Sequence, residues 1–203
     1  MKRALKRVSV KPPPVVEAAL WTAGQRRASS LHEISYRACF KPQLPAYFIE
    51  RYTQPGERVY DPFSGRGTTA VAAALRGRRV IANDVNPLAA LLARPRLAVP
   101  TLSDITARLE DIPRSITGRA PPLAMFYERE TLREIMALRD WLQRRREAGT
   151  ADAIDDWIGM VATNRLTGHS PGFFSVYSFP PNQAVTAQRQ TRINAQRQQK
   201  PVY

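Results

Sequence analysis

The residues with the clearest chemical potential are two carboxylates on either side of a glycine-rich stretch. Residues 61–69 read Asp-Pro-Phe-Ser-Gly-Arg-Gly-Thr-Thr, and Asp84 lies further along the chain. Glycine has no side chain to obstruct a ligand, so the backbone amides of such a loop can approach one closely. In nucleotide-binding folds, a loop of this kind precedes a helix whose N-terminus attracts a phosphate. The two acids indicate which ligand this loop would suit.

The acids argue against a phosphate-bearing ligand. Asp61, at the tip of a strand, would repel a pyrophosphate but would suit a ligand with a positive amine. S-adenosylmethionine (AdoMet) has such an amine and a sulfonium, and it has no phosphate. Asp84 is placed to bind ribose hydroxyls, as an acid about twenty residues beyond the glycines does in dinucleotide-binding folds. The acids, with Gly65 and Gly67 between them, therefore favour AdoMet over NAD. In the alternative, Asp61 caps the loop and the glycines only make a turn.

A strand and a helix are predicted to hold this loop. Residues 57–60 lead into a short buried strand that stops at Asp61. Residues 68–76 are small and apolar, as in a helix that packs against a sheet, and Gly77 follows where a helix C-cap belongs. The loop is therefore expected to lie between a strand and a helix.

The same order of elements then begins again. Residues 80–82 form the next predicted strand, which ends just before Asp84. Asn86 is a suitable N-cap, and Pro87 suits the first position of a helix over residues 88–93. The succession of strand, loop, helix, strand, acid and helix is the start of a doubly wound parallel sheet. A third strand is expected at residues 97–99.

Helices are predicted on both sides of this unit. Pro42 suits the first turn of a helix ahead of the loop, and the second half of the chain is mostly helical. Apolar residues at helical spacing indicate buried faces rather than a site. These faces are Leu44, Phe48, Ile49 and Tyr52 in the first helix; Leu102, Ile105 and Leu109 in the next; then Leu132, Ile135, Leu138 and Leu142; and finally Ala153, Ile154, Trp157, Ile158 and Val161.

The net charge of the chain indicates what kind of molecule it binds. The chain has 203 residues, of which 43% are hydrophobic, and a formal net charge of +14. This excess favours a polyanion, either nucleic acid or an anionic membrane surface. No apolar run is long enough to span a membrane, and the basic N-terminus does not read as a signal peptide. The single cysteine, Cys39, excludes an internal disulfide. A cytoplasmic protein without a metal site is the simplest interpretation.

Four segments follow from these patterns. Residues 1–30 form a basic arm and a short helix, 31–100 an α/β core that binds AdoMet, 101–166 a helical region, and 167–203 a basic tail rich in Gln and Arg. No Asp or Glu follows Asp156 in the chain, so the tail contains neither.

The tail is predicted to contact nucleic acid. Its four cations alternate with Gln and Asn, and Arg and Lys hold phosphates while Gln and Asn can read adenine edges. The alternative is a disordered, solvated tail. The four predicted contact residues are Arg189, Arg192, Arg197 and Lys200.

At this point the sequence resembles a known family, the DNA amino-methyltransferases, which act on adenine N6 or cytosine N4. The family's AdoMet motif is close to D-P-F-x-G-x-G-T-T, and its second strand ends in a G-x-D-x-N-P pattern. The second pattern is matched by Asp84, Asn86 and Pro87, with Ala82 in place of Gly. The first motif is matched at Asp61, Pro62, Phe63, Gly65, Gly67, Thr68 and Thr69.

The resemblance implies a Rossmann-like AdoMet methyltransferase fold, here incomplete, with a helical C-terminal half. It also implies AdoMet as cofactor and DNA as partner. Family members carry a K/F-P element ahead of the loop that lines the methionine end of AdoMet, and that role falls to Phe40, Lys41 and Pro42. Without the resemblance, these three residues only start a helix. The resemblance is clear for residues 31–99 and weak beyond them.

The family's catalytic motif is not found in this chain. That motif, D/N/S-P-P-Y/F/W, holds the exocyclic amine of a base that has been flipped out of the duplex. Pro180 and Pro181 lie between Phe179 and Asn182, so neither flanking position matches, and the catalytic residues are unknown. The chain is therefore interpreted as a methyltransferase portion completed by a further segment or a second chain. The alternatives are an inactive DNA-binding remnant or subunit that may retain AdoMet, or an enzyme acting on RNA.

Overall fold

The structure is a computed structural model. It describes residues 28–34, 36, 39–115, 121–166, 168, 172–176 and 185–201, together with Val15 and Glu17. Within these ranges lie two strands, β1 (Arg58–Asp61) and β2 (Arg79–Ala82), and two 3-10 helices, Ser30–His32 and Arg94–Leu97. The α-helices are α1 (Gln43–Tyr52), α2 (Thr68–Ala74), α3 (Pro87–Ala93), α4 (Leu102–Asp111), α5 (Arg129–Glu147), α6 (Ala153–Arg165) and α7 (Ala187–Gln196).

The two strands form a parallel sheet joined by helix α2. Arg58 pairs with Arg79 at one end and Asp61 pairs with Ala82 at the other. The carboxyl ends of both strands therefore lie side by side, and the loops that follow them meet at one edge. Helix α3 starts as predicted, since the Asn86 side chain accepts a hydrogen bond from the Leu88 amide at 3.0 Å. The predicted order of elements over residues 57–93 is confirmed.

One face of this sheet is covered and the other is open. Val59 and Val80 pack against buried residues of α1 and α2. Side chains alternate along a strand, so Tyr60 and Ile81 point to the opposite face, where they are 60% and 48% exposed. Parallel sheets normally have both faces covered. The described residues therefore form a partial α/β unit with a two-stranded parallel sheet, which is compatible with part of a Rossmann-like fold.

A second core connects the sheet unit to the helical half. Leu92 of α3 and Met160 of α6 are buried together with Ile34 from the segment ahead of α1. Tyr36 and Trp157 pack against this cluster. The segment that precedes the α/β unit is thereby held between α3 and α6.

A buried ion-pair network holds α4, α5 and α6 together. Asp155 of α6 is buried and accepts hydrogen bonds from Arg108 of α4 and Arg145 of α5. Asp152 caps α6 and accepts from Arg108 at 2.8 Å. This hydrogen bond lowers the pKa of Asp152 to about 2. The Trp141 ring lies beneath both guanidinium groups, at 5.9 Å from that of Arg108 and 5.0 Å from that of Arg145.

Several predictions about these elements were wrong. Strand β1 is not buried, because its residues are alternately exposed and half-buried. The apolar faces of α1 and α6 are not buried throughout, since Phe48, Tyr52 and Val161 are exposed.

Two further predictions were wrong in the region after α3. Residues 97–99 do not form a third strand, because Pro95 lies in a 3-10 helix, Arg94–Leu97, that directly continues α3. The apolar stripe of α4 is not core, since α4 has no buried residue and Leu102 and Leu109 are exposed. Helix α4 is held instead by Arg108, whose side chain pairs with α6.

Some predicted features lie outside the described residues. These are almost all of the basic arm and of the short helix around residues 17–28, and the Pro180-Pro181 turn. Among the helices of the described part, none is long and apolar enough to cross a membrane.

Candidate cofactor-binding site

The glycine-rich loop joins the end of β1 to the start of α2. Gly65 and Gly67 have φ angles of +49° and +81°, in the left-handed region that glycine adopts without strain. The Gly67 amide donates to the Ser64 carbonyl at 2.7 Å and closes the turn. The Ser64 amide donates to the Asn83 carbonyl, just beyond β2, at 2.9 Å. The loop is thus fastened across the carboxyl edge of both strands.

Gly67 is required by packing as well as by its backbone angle. A Cβ atom at this position would lie 2.6 Å from the Ala93 Cβ and 3.2 Å from the Ala93 Cα. Gly77 also has a positive φ of +74°, but its nearest neighbour, the Pro55 Cβ, would be 3.8 Å away. The close approach of α2 to the end of α3 therefore depends on the second glycine of the loop.

Asp61 caps the loop from the end of β1. Its Oδ1 accepts a hydrogen bond from the Phe63 amide at 3.1 Å, as the side chain does in an Asx turn. The residue is half-buried. Because a carboxylate can accept several hydrogen bonds, capping the loop does not prevent Asp61 from facing a charged amine.

Asp84 binds two backbone amides from different parts of the edge. Its Oδ2 accepts from the Gly65 amide at 2.8 Å, and its Oδ1 accepts from the Asn86 amide at 2.9 Å. The Asn86 and Gly65 hydrogen bonds hold the pKa of Asp84 below its usual value. The second acid is therefore ionised at neutral pH and lies against the first glycine of the loop, an arrangement that no local pattern predicted.

Apolar side chains surround this edge on its exposed side. Phe63 is 87% exposed and Val85 is 99% exposed. On the other side, the Tyr36 ring packs beside Gly65, so that a Cβ there would lie 3.3 Å from the Tyr36 Cε1. Sequence reasoning missed Tyr36, because a lone tyrosine upstream of the loop carries no periodic or motif signal.

A cationic cluster lies beneath the loop. Arg96 is buried and donates to the Leu31 and Leu92 carbonyls, both at 2.7 Å, while its Nη2 is buried without a hydrogen bond to the described residues. Arg66 of the loop donates to the Ile34 carbonyl at 2.5 Å. Burial, together with the nearby charge of Arg66, lowers the pKa of Arg96 to about 10. These arginines tie the upstream segment to the loop.

His32 belongs to the same cluster and is buried. Burial is the main cause that lowers its pKa to about 4, and the nearby charges of Arg96 and Arg66 act in the same direction. His32 is therefore neutral at physiological pH. Among the described residues, no group of His, Cys, Asp and Glu side chains could hold a metal ion.

Of the upstream residues predicted to line AdoMet, Phe40 lines a groove of about 480 Å³ together with Thr69, at the start of α2. Tyr60 of β1 and Phe48 of α1 line the same groove. Lys41 and Pro42 instead form the turn that starts α1, where the Lys41 and Pro42 carbonyls accept from the Leu44 and Ala46 amides at 3.1 Å. Of the other residues predicted to bind the cofactor, Pro62 is exposed and Thr68 is buried.

The C-terminal cations lie on and after helix α7. Arg189 and Arg192 are exposed within the helix, Arg197 is its C-cap, and Lys200 follows. The segment is therefore not simply an unstructured tail, which was the alternative. It is separate in sequence from the loop, and nothing in the described contacts brings these cations to Asp61 or Asp84.

Comparisons with known proteins agree with the site. Residues 3–93, slightly less than half of the chain, match the family model for N6/N4 DNA methylases. The type II methyltransferase M.MjaII of Methanocaldococcus jannaschii is 36% identical over 74 residues, which are 36% of this chain and 14% of that protein. The type II methyltransferase M.MvaI of Kocuria varians is 32% identical over 84 residues, which are 40% of this chain and 18% of that protein.

The resemblance to the DNA amino-methyltransferases is therefore confirmed for the first half of the chain. The aligned part spans less than a fifth of the length of either relative. No solved structure matches the chain.

Proposed function

We propose that this chain is the AdoMet-binding portion of an enzyme that methylates an exocyclic amine of adenine or cytosine in DNA. The observation that carries the proposal is the carboxyl edge of the sheet. There the fold brings Asp61, Gly65 and Asp84 together, although nineteen residues separate the last two in sequence. The family match of residues 3–93 gives this edge its interpretation as a cofactor site.

The residues at the edge suit AdoMet. Asp61 would face the amine of the methionyl group, and ionised Asp84 would bind ribose hydroxyls, as acids at this position do in related folds. Gly65 and Gly67 allow the left-handed turn that brings the loop across the strand ends, and Gly65 places its amide against Asp84. When bound, AdoMet supplies a methyl group activated by the adjacent sulfonium. The protein's own residues bind and orient the cofactor, and positioning of the reactants is the main source of rate.

A further polypeptide segment is proposed to complete the enzyme. Two observations support it: the open face of the sheet at Tyr60 and Ile81, and the apolar groove along β1 that Phe40 and Phe48 line. Exposed contiguous apolar surface of this kind marks an interface. The missing base-binding motif would come from the segment that covers it.

Titration calorimetry with AdoMet tests the binding site. Asp61→Asn and Asp84→Asn are each expected to weaken binding at least about tenfold, since each removes a charge-assisted contact. Asp111→Asn, which removes an exposed acid at the end of α4, is the matched control and should bind as the wild type does. A well-folded wild-type chain that binds no AdoMet would disprove the proposal.

The second candidate is an inactive DNA-binding subunit, which the missing motif favours. A methyl-transfer assay distinguishes it from the proposed enzyme. Tritiated AdoMet is incubated with the chain and duplex DNA of mixed sequence, and label in the DNA is counted. Incorporation that Asp84→Asn abolishes supports an enzyme complete in this chain. AdoMet binding without incorporation supports a portion that needs a further segment. DNA binding with neither AdoMet binding nor incorporation supports the inactive subunit, and incorporation into RNA alone would exclude DNA as the substrate.

A further inference from the structure

Helix α7 is held to the molecule by amide side chains rather than by an apolar face. Gln190 is completely buried, and its Nε2 donates to the Val176 carbonyl at 3.1 Å and to the Asn194 Oδ1 at 2.8 Å. Asn194 in turn donates to the Met125 carbonyl at 2.7 Å. Hydrogen bonds are directional, so these contacts fix the rotation of α7 about its axis as well as its position.

The fixed rotation determines which side chains α7 exposes. At 3.6 residues per turn, Gln188, Arg189, Arg192 and Gln196 lie along one stripe of the helix, away from Gln190. All four are exposed, and together they line one polar groove. We call these four residues the α7 stripe. Arg197 and Lys200 follow the helix and extend the positive charge.

The α7 stripe has the chemistry of a duplex-DNA contact. Arginine binds phosphates and guanine edges, and glutamine can bind the adenine edge with both of its polar atoms. No Asp or Glu follows Asp156 in the chain, so α7 itself carries no carboxylate and its charge is wholly positive. An α-helix also has the width that the major groove admits.

The same features argue against a membrane surface as the partner. A helix that lies on a membrane needs an apolar face turned outward. The largest apolar residue of α7, Ile193, lines the same groove as the α7 stripe but is half-buried, so it gives the helix no outward apolar face. The exposed side carries only amides and guanidinium groups, together with small residues and threonine.

We propose that the α7 stripe is a duplex-DNA contact surface, in which Arg189 and Arg192 hold phosphates and Gln188 and Gln196 read base edges. The proposal rests on the proposed function only in taking DNA as the polyanion, since the stripe uses none of the residues of the AdoMet site. Binding of DNA and binding of AdoMet can therefore be tested separately.

The phosphate contacts are tested by the salt dependence of binding to a fluorescent 20-base-pair duplex. Arg189→Ala/Arg192→Ala is expected to weaken binding at least about tenfold and to lower the log–log salt slope by about 1.8, from two lost phosphate contacts. The control Arg129→Ala/Arg144→Ala removes two exposed arginines of α5, so the net charge changes equally. The surface is not the DNA contact if both double variants bind with the same affinity and slope.

A charge-conserving variant separates contact from folding. Arg189→Lys/Arg192→Lys should keep most of the affinity and the salt slope, and circular dichroism should show wild-type helicity in every variant. Vesicles of phosphatidylserine and phosphatidylcholine, and duplex RNA of the same sequence, serve as competitors. Displacement of the DNA by the vesicles at lower concentration than by unlabelled DNA would overturn the proposal, as would tighter binding of the RNA.

Base reading is tested by selection from a random duplex library. The wild-type chain is expected to enrich a shared short sequence. Gln188→Ala/Gln196→Ala should lose that enrichment while its affinity for random duplex changes less than about threefold, because amides contribute discrimination rather than charge. Identical enriched sequences for both proteins would remove base reading from the proposal. If the wild-type chain binds no AdoMet but shows these effects on DNA binding, the proposed function is rejected and the proposal for the α7 stripe is still supported.

Discussion

Two regions of the molecule hold their polar groups in different ways. In the loop region, from β1 to α3, the contacts are made by backbone amides to nearby carbonyls and to Asp61 and Asp84. In the helical region, from α4 to α6, they are ion pairs between side chains far apart in sequence. Arg108 reaches Asp152 and Asp155 across 44 and 47 residues. The loop region is fixed mainly by backbone contacts between two adjacent strand ends, whereas the ion pairs of the helical region form only once three helices have met.

The two regions also differ in how completely other parts of the chain cover them. The loop region has a well-defined edge but an open sheet face, with Tyr60 and Ile81 exposed. The helical region closes on itself around Asp155, so its polar groups need no further partner. A site for a cofactor can therefore be well formed on a sheet that still lacks its second layer. Substitutions in each region should separate the two kinds of stabilisation.

The largest effect is expected in the helical region. Asp155→Ala would leave Arg108 and Arg145 without the buried carboxylate that both contact. Breaking a buried ion pair from one side costs about 3–5 kcal/mol. Urea denaturation followed by circular dichroism should show this loss in the free energy of unfolding. Asp140→Ala is the control, because Asp140 pairs with its neighbour Arg139 in a more exposed position, and it should cost less than about 1 kcal/mol.

Gly67→Ala tests the loop region by adding a single methyl group. The new Cβ would meet the Ala93 Cβ at 2.6 Å, and the residue would keep a φ of +81°. Overpacking and left-handed strain together are expected to cost about 3 kcal/mol and to abolish AdoMet binding. Gly56→Ala has the same strain at φ +88° with nothing within 4 Å, so it should cost about 1 kcal/mol. Equal losses for both variants would show that packing against α3 is unimportant.

A smaller loss of stability is expected when the pH is lowered. It arises from His32, which lies with Arg66 and Arg96 in the cluster that joins the loop to its upstream segment. The pKa of His32 is about 4 in the folded chain and 6.5 for an ordinary histidine. Between these values the unfolded chain binds more protons, so stability falls as the pH is lowered. From pH 7.5 to pH 5 the loss due to His32 should be about 2 kcal/mol. His32→Gln, measured over the same range, should flatten this part of the pH dependence, and an unchanged pH dependence would contradict the assignment to His32.

The smallest effect is expected at α7. Gln190→Ala removes a buried amide that bonds the Val176 carbonyl, and loss of such a hydrogen bond costs about 1 kcal/mol. Hydrogen exchange of the α7 amides should accelerate while exchange in β1 and α5 stays as in the wild type. Thr191→Ala, an exposed change on the same helix, is the control. Faster exchange throughout the chain would show that α7 is part of the global core rather than a separately anchored helix.

Sequence patterns predicted the loop region because its determinants are local. Asp61 and Asn86 accept hydrogen bonds from amides two positions away, and Gly65 and Gly67 take left-handed backbone angles, so the turn and the start of α3 could be inferred from residue type. The packing of Gly67 against Ala93 and the hydrogen bond from Gly65 to Asp84 are not local and were not predicted. The prediction of a third strand was wrong because the chain stays helical at Pro95, in a 3-10 helix. The prediction of a buried face on α4 was wrong because periodicity shows that one face is apolar without showing that another element covers it.

The sequence by itself determined the order of elements through α3, the two acids at strand ends and the glycine loop, since each depends on backbone preferences of neighbouring residues. Only the tertiary structure decided that Asp84 bonds the Gly65 amide, that Arg96 and His32 are buried beneath the loop, and that Asp155 receives two arginines. These contacts join residues far apart in sequence, and their energies depend on burial and exact direction, which no pattern of residue types contains. The rotation of α7 was likewise decided by Gln190 and Asn194 reaching carbonyls outside the helix.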